Sequence, residues 1–500
     1  MSTQHEIIDL LPAQPKVCFL IRQLFTQQEC QTLLSESVKE SFQKAITNYP
    51  TSYRNNDRLV IDDNQLAKQL FDKVKSYLPS IVTTQSDNVT ESGVWKLQEL
   101  NSRIRYCRYS AGQYFNRHLD GVCYRSRELQ SKLTFMVYLN GAENFTGGRT
   151  LFYESKNSQE IWMAYTPRQG DLIVFDHNLW HEGEVLQSGE KFVLRSDIFY
   201  QRVEDEKRTT SKDMMAYQEG HLGYIWKLLF LDEKTLISGG RDKIIKVWNA
   251  DGICIQQLEG HHNSVLCFAK LTDELFLSGS RDKSIRAWQN RDGLFCEVSK
   301  YYFHQALVLS LCRIDDQTFA SSGGDGLIHI ATLSSQILHT LRDHTDWVWN
   351  VILLEKTLLA SCSEDKTVKI WDYVTEQCLA TFEESSPIHC LVSSPSGEWL
   401  MSGNYAGEIS IRMKSNKNSF IWQFERTFQA HQGTIRTLLL VTNTKLVSGG
   451  EDNKIKVFNL ETDACLTEYT HQNFVQSVVL NSDNQLVSAS YDGKIQVWKV

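Results

Sequence analysis

Gly220-His221-Leu-Gly-Tyr-Ile-Trp-Lys-Leu-Leu-Phe-Leu-Asp-Glu-Lys-Thr-Leu-Ile-Ser238-Gly-Gly-Arg-Asp242-Lys-Ile-Ile-Lys-Val-Trp248 is one copy of a pattern that returns along the rest of the chain. His221 is followed by Asp242, His261 by Asp282, His304 by Asp325, His344 by Asp365, His431 by Asp452 and His471 by Asp492, each time 21 residues on. A serine stands four residues before every one of these aspartates: Ser238, Ser278, Ser321, Ser361, Ser448 and Ser488. Six residues after the aspartate comes Trp248, Trp288, Trp371 or Trp498, with Ala331 and Phe458 in the remaining two copies.

The gap of 87 residues between His344 and His431 leaves room for one more copy. It lies at about Ser385 to Arg412, where Ser402 keeps the serine place, Ser385 stands for His, Ala406 for Asp and Arg412 for Trp. His and Asp vanish together, as expected of two groups that bond each other, since either alone would be a buried unsatisfied group. Seven repeats of roughly forty residues have the period of four-stranded propeller blades. Segments such as Lys243-Ile-Ile-Lys-Val-Trp248 and Lys366-Thr-Val-Lys-Ile-Trp371 alternate as half-buried strands do. Gly239-Gly-Arg-Asp242 and Gly449-Gly-Glu-Asp452 read as tight turns.

These residues, with Gly220-His221, Gly260-His261 and Ile370-Trp371-Asp372, resemble the WD-repeat family. The resemblance covers the chain from about residue 214 to 500 and implies a seven-bladed β-propeller that holds a protein partner. The repeated His, Ser and Asp are read as a network inside each blade, not as catalytic triads. Partner contact is expected in loops, with Asn404-Tyr405 and the insertion Ser415 to Trp422 of the irregular fifth repeat as a candidate region. The last repeat stops just past Trp498, and Met214 to Gly220 is expected to supply its outer strand.

A chain of 500 residues exceeds one hydrophobic core. Its formal charge of -8 offers no footprint for nucleic acid. No apolar run is long enough to span a bilayer, and Met1 to Leu20 lacks the pattern of a secretory signal. The 12 cysteines form no C-x-x-C pair and read as reduced thiols, so a cytoplasmic protein is expected.

Residues 1–203 carry no repeat. Thr26 to Val38 and Asn64 to Leu78 have helical spacing. After about Val94 strand-like runs dominate: Ser102 to Tyr109, Leu133 to Leu139, Gly170 to Phe175 and Lys191 to Arg195. Two helices followed by a sheet fit a jelly-roll with helical support. The charged stretch Glu204 to Asp213 reads as a short linker, so that the two domains are expected to cooperate.

His118-Leu-Asp120 places an imidazole and a carboxylate on one face of an extended segment, and His181 follows in Asp176-His-Asn-Leu-Trp-His181-Glu-Gly183. Two histidines and one carboxylate on one side of a metal leave its other side open, the facial arrangement of non-haem iron(II) oxygenases. His177 is the rival for the distal histidine. A structural zinc site would ask for four ligands, and Cys107 and Cys123 lack the spacing.

The surroundings resemble the prolyl 4-hydroxylase-like branch of the Fe(II)/2-oxoglutarate-dependent oxygenases. The stretches that carry this are Tyr109-Ser-Ala-Gly-Gln-Tyr-Phe115-Asn-Arg-His118-Leu-Asp120, Gly147-Gly148-Arg-Thr150-Leu-Phe152, Pro167-Arg-Gln-Gly170-Asp-Leu-Ile-Val-Phe175 and Gly189-Glu-Lys191-Phe-Val-Leu-Arg195. They cover about residues 94–202. The resemblance implies a double-stranded β-helix (jelly-roll) with iron(II) on His118, Asp120 and His181. Lys191 is implied to pair with the far carboxylate of 2-oxoglutarate, with Arg195, four residues on, as the other possibility. Tyr109 and Tyr138 are candidate hydrogen-bond donors to the cosubstrate. The implied activity is a dioxygenase that couples decarboxylation of 2-oxoglutarate by O2 to hydroxylation, of a prolyl side chain by family analogy, with ascorbate as reductant. Two other readings stay open: a scaffold carrying an inert or sensing oxygenase fold, and a hydroxylase of a free small molecule.

Overall fold

In each helix of the first part, a side chain just outside the first turn fixes where the helix begins. In the computed structural model, which describes residues 5–38, 42–44, 49–50, 52–84, 91–156, 158–203, 220–415 and 421–499, the first helix runs Gln27–Val38. Thr26 and Glu29 close a reciprocal box: Glu29 accepts from the Thr26 N–H at 2.7 Å and Thr26 Oγ1 from the Glu29 N–H at 3.2 Å. The second helix, Asn64–Val74, starts on Asp63, whose carboxylate accepts from Gln65 and Leu66, both at 2.9 Å. It buries Ala67, Leu70 and Val74 and tightens into a 3-10 turn at Lys75–Tyr77 rather than continuing to Leu78.

The chain forms two compact units. Met1–Ser86 with Glu91–Arg208 make the first, and Asp87–Thr90 with Thr209–Val500 the second. The expected linker 204–213 and the expected closing strand 214–219 lie outside the described residues. Among the described residues no helix is long and apolar enough to cross a membrane, and all 12 cysteines are free thiols.

The first unit is built of two antiparallel sheets. The larger has 11 strands, with the 17-residue Leu186–Arg202 at its centre between Leu129–Tyr138 and Arg103–Ser110. The smaller runs in the order Ile161–Tyr165, Thr150–Tyr153, Trp180–Gly183, Phe115–His118. Alternation divides the large sheet. Ile104, Tyr106, Leu194 and Ile198 share one apolar core with the helices. Cys107, Tyr109, Tyr138 and Val193 point the other way and share a second core with Phe115, Phe152 and Tyr165 of the small sheet. Polar groups at the buried middle of that second face therefore lie between sheets.

The second unit is a succession of seven antiparallel propeller-like sheets, six of four strands and a last one of three. The innermost strand of the first sheet, Ile225–Phe230, packs against its counterparts in the next sheet and in the last. Its Leu228 N–H donates to Ser477 Oγ in the last sheet at 3.1 Å, so the succession returns on itself. Within a sheet the repeated residues form one donor chain. Trp248 Nε1–H reaches Ser238 Oγ at 2.8 Å, Ser238 Oγ lies 2.7 Å from His221 Nε2, and His221 Nδ1 lies 2.9 Å from Asp242. The same chain recurs through Trp288, Ser278, His261 and Asp282, and through Trp371, Ser361, His344 and Asp365. Gly240 must lack a side chain, since a Cβ there would stand 2.3 Å from His221 Nδ1.

The fifth repeat corrects the sequence reading. The polar network is replaced rather than lost. Ser402 Oγ donates to Glu384 at 2.5 Å, and Arg412, in the tryptophan place, donates to the same carboxylate at 2.9 Å and to Ser402 Oγ at 3.1 Å. Glu384, one residue before the expected position, takes over from histidine, while Ser385 turns away to Glu408 at 2.7 Å. Tyr405 is exposed, and the insertion is described only at its edges.

Candidate metal centre

Strands Phe115–His118 and Trp180–Gly183 pair so that His118 and His181 face each other, with ring centroids 4.2 Å apart. Asp120 follows just past the strand, its N–H tied to the His177 carbonyl at 3.1 Å. Its two carboxylate oxygens stand 3.6 Å from His118 Nε2 and 3.6 Å from His181 Nε2. One ligand atom from each residue lies within 4.8 Å of the others. Both Nε2 atoms are buried and make no hydrogen bond.

The other ring nitrogens explain why. His118 Nδ1 is 2.7 Å from the Asn116 carbonyl and His181 Nδ1 2.9 Å from the Leu179 carbonyl. A carbonyl only accepts, so each Nδ1 carries the proton and each Nε2 keeps a bare lone pair directed at Asp120. Burial holds both imidazoles neutral: His118 lies below its ordinary value, and His181 is pushed down to about 3 by burial and by His118 beside it. Burial would raise the Asp120 carboxyl, yet Arg195 and the two histidines hold it well below the usual carboxylate range. Two neutral imidazoles and an ionised carboxylate are the donor set that a divalent transition metal requires. The residues present fit iron(II).

Asp120 is oriented from behind. Thr134 Oγ1 donates to it at 2.6 Å and Arg195 Nη2 at 2.5 Å. The expected alternative role of Arg195, pairing with the cosubstrate, is therefore not where its guanidinium points. Lys191, four residues away on the same strand, donates to the Gly148 carbonyl at 2.6 Å. It sits 5.5 Å from the ring centres of both Tyr109 and Tyr138. Among the described residues no carboxylate forms an ion pair with it, and burial pushes its ammonium down to about 8. Gly148 has φ +65°, and a Cβ there would press on Leu186 at 2.6 Å. Tyr138 OH bridges the sheets to Thr150 Oγ1 at 2.7 Å.

His177 is not brought to the cluster. Its two nitrogens are taken by Thr134 Oγ1 at 3.1 Å and Ser131 Oγ at 2.9 Å. Neither Cys107 nor Cys123 belongs to the metal-ligating group. Thr134, Arg54 and Arg58 are polar residues of this interior that the motifs did not reveal. The strand parity of Thr134 relative to Tyr138 was the one available signal for it. A cleft of about 1070 Å³ beside Phe25, Tyr165 and Arg168 contains none of these groups, so chemistry rather than volume locates the site.

The family model described as 2OG-Fe(II) oxygenase superfamily matches residues 104–196. The model of the WD domain, G-beta repeat, matches residues 213–249, 252–289 and 463–499, and one described as Vps42 beta-propeller matches residues 298–477. The ubiquitin homeostasis protein lub1 of Schizosaccharomyces pombe is 36% identical over 197 residues, 39% of this chain and 26% of its own length. The ribosome biogenesis protein YTM1 of Scheffersomyces stipitis is 24% identical over 275 residues, 50% of this chain and 56% of its own. Eukaryotic translation initiation factor 3 subunit I of Drosophila willistoni is 23% identical over 313 residues, 56% of this chain and 96% of its own. The chain thus spans about a quarter of lub1 and about half of YTM1.

Proposed function

From a chain that joins a 2OG-Fe(II) oxygenase-superfamily domain to WD repeats, we propose an Fe(II)- and 2-oxoglutarate-dependent dioxygenase that hydroxylates a protein side chain. The WD part, read as a closed seven-bladed propeller, is the module that holds the protein partner; the oxygenase part is read as a double-stranded β-helix. The observation that carries the proposal is the pair of buried, unpartnered Nε2 atoms converging with Asp120. A buried polar atom left without a partner is costly in a structural role and is what a ligand atom awaiting a metal looks like.

His118, Asp120 and His181 would hold iron(II). Bound there with 2-oxoglutarate and O2, it supplies the oxidising chemistry that turns a C–H bond into C–OH. The chain's own residues do the positioning. The Asn116 and Leu179 carbonyls fix the tautomers, Thr134 and Arg195 fix the carboxylate, and Lys191 takes the far carboxylate of 2-oxoglutarate as a charge-assisted pair. Tyr109 and Tyr138, flanking Lys191, shape that end of the pocket. Iron chemistry of this kind takes ascorbate as a reductant, a prolyl target rests on family analogy, and a cytoplasmic site fits the free thiols.

The test needs no substrate. Iron(II) and 2-oxoglutarate are added to the full chain without oxygen, and the metal-to-ligand charge-transfer band is recorded. Wild type should give the band and His118→Ala should not. No band in well-folded wild type would leave the chain a WD scaffold with an inert oxygenase fold.

A further inference from the structure

The interior face that carries the candidate metal centre also holds four guanidinium groups, of which Arg54 and Arg58 have no part in the proposed reaction. Arg105 pairs with Asp197 at 2.7 Å and Arg195 with Asp120 at 2.5 Å. Arg54 and Arg58 pair with no carboxylate among the described residues. Arg54 is only 3% exposed. Its Nε and Nη2 share one neutral acceptor, Asn56 Oδ1, at 2.9 and 2.7 Å. Its guanidinium lies 3.9 Å over the centre of Phe115, and Phe115 stacks on His118 with centroids 3.6 Å apart and planes at 18°. Guanidinium, ring and metal-ligand imidazole therefore form one stack.

Arg58 stands directly opposite Cys107 across the strand pair, on the same interior face, and its buried Nε has no hydrogen-bond partner. Cys107 shows what these charges do. Burial alone would raise its thiol, yet Arg54, Arg58 and Arg195 around it draw it below its ordinary value. An arginine cannot shed its proton to escape burial, so an uncompensated guanidinium is costly in an apolar interior. On the reading above, the carboxylates of 2-oxoglutarate would be met by the metal and Lys191. The remaining positive charge calls for another anion.

We propose that Arg54 and Arg58 form an anion subsite for the substrate, and that the substrate class is carboxylate-bearing: an acidic side chain of a polypeptide or a free acid. Two planar guanidinium forks match a planar carboxylate and hold it beside the Phe115 ring, one stacking distance from a metal ligand. This rests on the oxygenase reading above.

The full chain, loaded with iron(II) and 2-oxoglutarate without oxygen, is titrated with butyrate, with its uncharged isostere butyramide, and with the blocked tripeptide Ala-Glu-Ala. The charge-transfer band is the readout. A saturable shift with butyrate or the peptide, absent with butyramide, is expected, and the tighter of the two names the source of the carboxylate. Arg58→Gln should keep the band and weaken carboxylate binding about tenfold or more, while Arg58→Lys should recover part of it. Arg58 is half-buried and has no ion-pair partner among the described residues, its guanidinium lying 5.4 Å from the ring centre of Tyr49, so this variant stays informative if Arg54→Gln fails to fold. A band that ignores every carboxylate, an equal response to butyramide, or loss of the band in Arg58→Gln would each overturn the subsite. A missing band in wild type would instead remove the oxygenase premise itself.

Discussion

The chain uses histidine beside aspartate in two ways, and the difference lies in which atoms are satisfied. In the WD unit His221 Nδ1 meets Asp242 and His221 Nε2 meets Ser238, so neither ring nitrogen is free. In the first unit His118 and His181 spend Nδ1 on a backbone carbonyl and leave Nε2 buried and bare beside Asp120. Identical residue types have both ring nitrogens bonded in one place and one left unbonded in the other, the arrangement that the proposed metal site would use. The last WD sheet stands between the two, with Ser488 at 2.6 Å but Asp492 at 3.6 Å from the ring.

That contrast can be strained from several sides. The largest effect on the closed networks is expected at the fifth repeat. Arg412→Ala would leave the buried Glu384 without its cation, at a cost of about 3–5 kcal/mol; chemical denaturation of the full chain would read it. Next, Ser361→Ala removes the hydroxyl shared by His344 and Trp371 and should destabilise by roughly 2–3 kcal/mol, with no change in iron binding. On the open side, Thr134→Val leaves the ligands in place but frees Asp120 from its 2.6 Å donor, and iron(II) affinity should drop about tenfold. The smallest effect is a pH dependence. Lys191 titrates at about 8 and must be charged to hold a carboxylate. The 2-oxoglutarate dissociation constant should therefore be flat below that pH and rise about tenfold per unit above it, while Lys191→Met should abolish the slope.

How much of this was legible beforehand follows the same division. The six-fold His–Ser–Asp spacing is written by periodicity, because five of the six copies close the same bonds. The fifth repeat was misread because Glu384 lies one residue off the register that the other copies obey, and only the fold shows that its carboxylate reaches Ser402. In the candidate metal centre, His118, Asp120 and His181 could be picked out because a metal site would need those residue types close together. Spacing to Lys191 and the following Glu-Gly favoured His181 over His177, but what keeps His177 away was hidden. It turns on Ser131 and Thr134, which lie more than forty residues before His177 in sequence and occupy both of its nitrogens. The choice between Lys191 and Arg195 was equally hidden, since both share a strand face and only the position of Asp120 engages the arginine. Arg54 and Arg58 carry no motif at all; their lack of a counter-ion is a property of the packed interior.

The most direct measurement sets one histidine of each kind side by side: His118→Ala and His261→Ala in the full chain, each followed by anaerobic iron(II) binding and by thermal unfolding. His118→Ala should lose iron binding and melt within a few degrees of wild type, because its Nε2 contributes no bond to the apo fold. His261→Ala should bind iron normally and lower the melting temperature by about 4–8 °C, the expected cost of stranding Asp282 and Ser278. Iron binding that survives His118→Ala, or that is lost in His261→Ala, would contradict the assignment of one histidine to a ligand and the other to the fold.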